Sequence, residues 1–173
     1  KQMESNLFSF IKEPEKTQHL LKQKTNKKTV KIALLGSSNL DFMSKILQKA
    51  FLRHFGAYSA EIFTVPFGQL YNNIYTASSP LHSFEPDIVI FVDRLEDIFH
   101  VNHLENLSNK ENASTLINEY INAIEKFSTK SKSLILISNF TQSAPSLSNL
   151  SSLIEDFNNV LTNFIDKSDR LVL

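Results

Sequence analysis

The chain has 173 residues, with 18 Lys plus Arg against 18 Asp plus Glu and no cysteine. That balance provides no whole-protein field for nucleic acid or an anionic membrane surface, and the missing thiols exclude disulfides, thiolate metal sites and Cys catalysis. Apolar residues at 42% fit one soluble domain with a sizeable core, and no apolar run approaches the roughly 18 residues of a membrane span.

Residues 3–23 read as one or two short helices, with Phe8, Phe10 and Ile11 before Pro14 and Leu20-Leu21 after it. Lys22 to Lys28 is a basic, solvated linker, so residues 1–28 form an extension and 29–173 the main domain. Val30–Leu35 is the first strand. Gly36-Ser37-Ser38-Asn39 then turns the chain into an amphipathic helix over 40–55, with Gly56 as its C-cap. Either Ser side chain is placed to cap that helix, or to present a hydroxyl or an anion site at the strand end.

Glu61–Phe67 is a second strand ending at Gly68. Residues 69–76 fit a short helix or a loop, and 78–84 read as irregular around Pro80. Asp87–Val92 is a third strand, whose unbroken apolar run points to burial on both faces of a parallel sheet. Leu95–Leu107 is helical or mixed. Glu111–Phe127 is a helix with Leu116, Ile117, Tyr120, Ile121, Ile124 and Phe127 on one stripe. Leu134–Ile137 is the fourth strand, 147–165 another helix, and Leu171 begins a fifth strand. Strands alternating with helices imply an α/β fold: three layers, a mostly parallel five-stranded sheet, and helices on both faces.

Lys31-Ile-Ala-Leu-Leu-Gly-Ser-Ser, Phe67-Gly68-Gln69, Ser79-Pro80-Leu81 and Pro86-Asp87-Ile-Val-Ile follow in order, then Asn139-Phe140, Pro145 and Phe157-Asn158. Over residues 30–173 this order resembles the N-terminal domain of FkbH-like proteins, subfamily IIIC of the HAD superfamily. The resemblance implies an SGNH-hydrolase-like, flavodoxin-like fold with strand order 2-1-3-4-5. It also implies a HAD domain C-terminal to this chain, acting on a phosphorylated three-carbon donor and an acyl carrier protein. The HAD Asp-x-Asp signature does not occur here, so phosphatase-type chemistry would lie outside this chain, and no cofactor is expected within it.

The same resemblance places Ser38 at the nucleophile position of an SGNH hydrolase, with Ser37 where the motif has Asp, and Gly68 at an oxyanion donor position. The motif's oxyanion Asn is replaced in Val92-Asp93-Arg94-Leu95, and no Asp-x-x-His pair occurs. An aspartate there repels a developing oxyanion, and a serine without a base is a weak nucleophile. The plainer role for Asp93 is to cap the following helix or to pair with Arg94. Asn139, Thr141, Gln142 and Ser143 follow the fourth strand and bring polar groups to the same carboxyl edge, where doubly wound sheets bind ligands.

His100 and His103 share a helix face at metal-ligand spacing without an evident third ligand, so no metal site is expected. His82 fits either the site crevice or a surface loop. Walker and dinucleotide fingerprints are absent. Three roles stay open: an accessory domain that positions a glyceryl or acyl substrate or a carrier arm; a Ser38-dependent acyl transferase or esterase; and an interaction module without a ligand. The composition fits a cytoplasmic setting.

Overall fold

The computed structural model describes residues 28–55, 58–98, 110–141 and 151–172. The expected helices in 3–23, the Gly56 cap, His100, His103, Gln142, Ser143 and the 147–150 start of the last helix lie outside these residues.

Strand β1 (Lys28–Leu35) starts two residues before the apolar run, because Lys28 and Thr29 pair with Tyr58 and Ser59 of β2 (Tyr58–Thr64). Strand β2 accordingly lies three residues earlier than the apolar pattern suggests. Residues 66–69 form a turn instead, closed by the Gln69 N–H on the Pro66 carbonyl at 3.0 Å. Gly68, at φ 72°, holds the left-handed position that a type II turn requires.

Helix α1 (Asp41–His54) joins these two strands. Its first turn is not capped by Ser37 or Ser38. The Asn39 carboxamide oxygen accepts the Asp41 N–H at 2.9 Å, an Asx turn that starts the helix locally.

Helices α2 (Leu70–Tyr75) and α3 (Pro80–Phe84) follow. The stretch 78–84 is thus helical rather than irregular. Ser79 is the N-cap, its hydroxyl accepting the His82 N–H while donating to the Asn73 carbonyl. Pro80 sits in the first turn, where a missing N–H costs nothing, so it starts the helix instead of breaking it. Glu85 ends α3 in a left-handed conformation at φ 50°.

The remaining elements are β3 (Ile88–Phe91), α4 (Leu95–Ile98), α5 (Lys110–Lys130), β4 (Leu134–Ile137), α6 (Ser151–Ile165) and β5 (Leu171–Val172). The sheet has the order β2-β1-β3-β4-β5, with every pair parallel. This is the expected α/β topology. Right-handed crossovers explain the layering: β1 to β2 moves one way across the sheet and every later connection moves the other way. Helix α1 therefore lands on one face, and α2, α3, α5 and α6 on the opposite one.

The larger core fills that opposite face. Ala33, Leu35, Val89, Phe91, Ile135 and Ile137 from the strands meet Ile117, Tyr120, Ile124 and Phe127 of α5 and Phe157 and Leu161 of α6. The α1 face has a smaller core around Ile32, Leu34, Leu40 and Ala60, with Leu47 and Phe51 of α1 packed against it. No α1 residue is fully buried, although its apolar residues recur at helical spacing.

Two side-chain devices tie the layers. The Asn158 carboxamide on α6 donates to the Phe140 carbonyl at 3.0 Å and accepts the Phe140 N–H at 2.9 Å, fixing the chain just past β4. The Arg170 guanidinium donates to the Ser128 and Ser131 carbonyls at the carboxyl end of α5, anchoring the approach to β5.

Candidate functional site

The carboxyl ends of β1, β3 and β4 are knit by backbone bonds from the Val92 N–H to the Leu35 carbonyl and from the Ser138 N–H to the Phe91 carbonyl. Gly36-Ser37-Ser38, Asp93 and Asn139 all follow directly from these strand ends. The Gly68 turn follows β2 at the same edge. The topology thus gathers there the site residues expected from sequence.

Gly36 is a matter of space. A Cβ there would run into the Val92 backbone carbonyl oxygen and crowd a Leu40 methyl. The strand ends approach so closely that only glycine fits. Beyond it, Ser37 and Ser38 are half-buried.

Asp93 is 4% exposed, and its Oδ1 accepts the Ser37 backbone N–H at 2.6 Å. A charge-assisted bond of this length is among the stronger kinds and pins the end of β1 to the end of β3. It also fills with an internal carboxylate a backbone donor that would otherwise face an anion.

Two tyrosines that the sequence pattern did not single out for a site are influenced by this carboxylate. Tyr120 of α5 is fully buried. That burial, then the charge of Asp93, then Tyr71, push its pKa well above the usual tyrosine range. Tyr71 of α2 is 39% exposed. Burial, then the charges of Asp93 and Glu119, then Tyr75, push its pKa up to about 12. The corner presents an acceptor oxygen where an oxyanion hole presents donors. Tyr120 was legible only as a core-stripe residue; the available signal was that a buried phenol needs a polar neighbour.

Gly68 is exposed, and a Cβ there would meet nothing within 4 Å. Its conformation, rather than a close approach, calls for glycine. Phe67 beside it is 76% exposed. Asn139 is exposed at the end of β4, one residue before the Phe140 backbone that Asn158 clamps.

His82 does not reach this corner. Its Nε2 bonds the Ile74 carbonyl at 3.1 Å and its ring stacks on Phe127. It lines, with Glu85, Lys130 and Lys132, a groove of about 710 Å³ at the opposite edge of the sheet. His54 ends α1 at that same opposite edge, so among the described residues no histidine stands at the Ser38 corner. Among the described residues there is also no cluster of three or more potential metal ligands, and no helix is long and apolar enough to cross a membrane.

With this geometry in hand, one solved structure is informative. The fold is similar to that of the N-terminal part of BF1531 from Bacteroides fragilis, containing a phosphatase domain complexed with Mg. The two superpose with a TM-score of 0.70 at 14% identity, over 90% of this chain and 43% of that one. At that identity the likeness is one of fold. The present chain spans less than half the length of the solved chain, which also holds the phosphatase domain. No family model and no curated protein sequence matches the chain.

Proposed function

We propose that this chain is the SGNH-like N-terminal domain of an FkbH-like protein of the HAD superfamily. In this reading it is an accessory domain. It positions a glyceryl or acyl substrate, or the arm of an acyl carrier protein, beside an adjoining HAD domain that handles phosphate. The observation that carries the reading is the Asp93 carboxylate on the Ser37 N–H. Where a hydrolase of this shape would gather donors for an oxyanion, the corner holds a buried carboxyl oxygen that already occupies one of those donors. The likeness to the N-terminal part of a phosphatase-domain protein supports an adjoining domain of that type.

The second reading, Ser38-dependent acyl transfer or ester cleavage, is favoured by the place of Ser38 at the carboxyl end of β1. It lacks a histidine base at the corner among the described residues. Ser38→Ala in the protein joined to its HAD domain separates the two. The accessory role leaves turnover near normal. A fall of several orders of magnitude assigns Ser38 the nucleophile's part and overturns the accessory reading.

A further inference from the structure

The carboxyl edge of the sheet carries large apolar side chains that the fold holds out to solvent. Phe67 is 76% exposed, on the turn closed by the Gln69 N–H and the Pro66 carbonyl, with the left-handed Gly68 fixing that turn. Phe42 is 63% exposed, in the first turn of α1, which the Asn39 carboxamide starts. The Thr64 hydroxyl donates to the Asp41 carboxylate at 3.3 Å and ties that first turn to the end of β2. Both rings therefore stand over the ends of β1 and β2, beside the Gly36-Ser37-Ser38 turn. Met43 and Tyr71, in the first turns of α1 and α2, add exposed apolar surface at the same edge. Rings held out on fixed turns and grouped at one edge are the pattern of an interaction surface.

We propose, on the reading above that a HAD domain adjoins this chain, that this domain docks on the carboxyl edge against Phe42 and Phe67 and encloses the Ser37-Ser38 corner between the two domains. Strand β5 is parallel to the other four, so it too points to the carboxyl edge, and a domain that follows it starts there. From β5 to β2 is four strand spacings, about 19 Å. A small domain is about 30 Å across and spans that distance. Tethering favours this occupant over a second copy, because a partner on the same chain is present at high effective concentration. Ligand sites form preferentially between domains, and this placement makes the corner such a site.

Hydroxyl-radical oxidation, located by peptide mass spectrometry, reads the exposure of each phenylalanine without any substitution. Phe55, at the other end of α1, is 54% exposed and provides the internal reference. In this chain alone, which has its own two cores, Phe42 and Phe67 are expected to oxidise at least as fast as Phe55. In the protein joined to its HAD domain, both are expected to slow several-fold while Phe55 keeps its rate. If Phe42 and Phe67 are not slowed in the joined protein, or if Phe55 slows to the same degree, the docking is overturned and the adjoining domain stands. Protection already present in this chain alone, or protection that grows with protein concentration, overturns the docking in favour of another cover. A natural protein without a HAD domain overturns both the docking and the reading beneath it.

Discussion

The Asp93 carboxylate accepts the backbone N–H of Ser37 at 2.6 Å, joining the ends of two strands across 56 positions of sequence. Asp93→Ala leaves that N–H without its acceptor, and a half-buried donor so orphaned costs about 1–3 kcal/mol. Asp93→Asn keeps an acceptor oxygen at the same place and is expected to lose less. Urea unfolding midpoints of the two variants rank them.

The two site glycines differ in why they are glycine, and alanine tests the difference. Gly36→Ala puts a methyl against the Val92 carbonyl, and β3 must shift to make room, at about 1–3 kcal/mol. Gly68→Ala has open space and pays only for the left-handed backbone, about 1–2 kcal/mol. Gly68→Asn should recover part of the second loss, and Gly36→Asn none of the first. Thermal unfolding of the four variants checks the pattern.

Burial, then the charges of Asp93 and Glu119, push Tyr71 up to about 12 in the fold against 10.0 for an unperturbed tyrosine. The unfolded chain therefore releases this proton at lower pH than the folded one. The contribution of Tyr71 to stability is whole below pH 10 and is lost as pH rises towards 12. Fully buried Tyr120 has the same sign. Asp93→Asn removes a charge that raises both, so the tyrosinate absorbance of Tyr71 should appear at lower pH in that variant. An unchanged titration would contradict the influence of the Asp93 charge on Tyr71.

Asn158 holds both backbone groups of Phe140. Asn158→Ala removes both bonds, and about 1–3 kcal/mol of stability is expected to go with them. Asn158→Asp keeps the bond to the N–H and sets a carboxylate against the Phe140 carbonyl, so it should do little better. Faster amide exchange at Phe140 in both variants would locate the loss just past β4.

Legibility from sequence tracks how sharply an element's apolar run begins and ends. The fourth strand, Leu134–Ile137, matches the sequence reading residue for residue, because a run that is apolar on both sides has sharp ends. Strand β2 alternates more weakly, and its limits come from pairing with Lys28 and Thr29, partners that no local pattern records. Ser79-Pro80 reads as a break until its role as cap and first helical residue is seen. At the corner, spacing was enough to bring Ser37, Ser38, Gly68, Asp93 and Asn139 to one edge. It was not enough to show that Asp93 bonds the Ser37 backbone, nor that its charge raises Tyr71 and Tyr120. Those relations are made between layers.

The sheet order β2-β1-β3-β4-β5 carries a timing for synthesis. Once β1, β2 and β3 are assembled, each later strand docks at the rim of what already exists, in the order it leaves the ribosome. The guanidinium of Arg170 closes the carboxyl end of α5 only once the approach to β5 has emerged. Until then that helix end is held by its own last turn, and a nascent chain stalled before Arg170 should show it frayed while β1 and β3 are already paired.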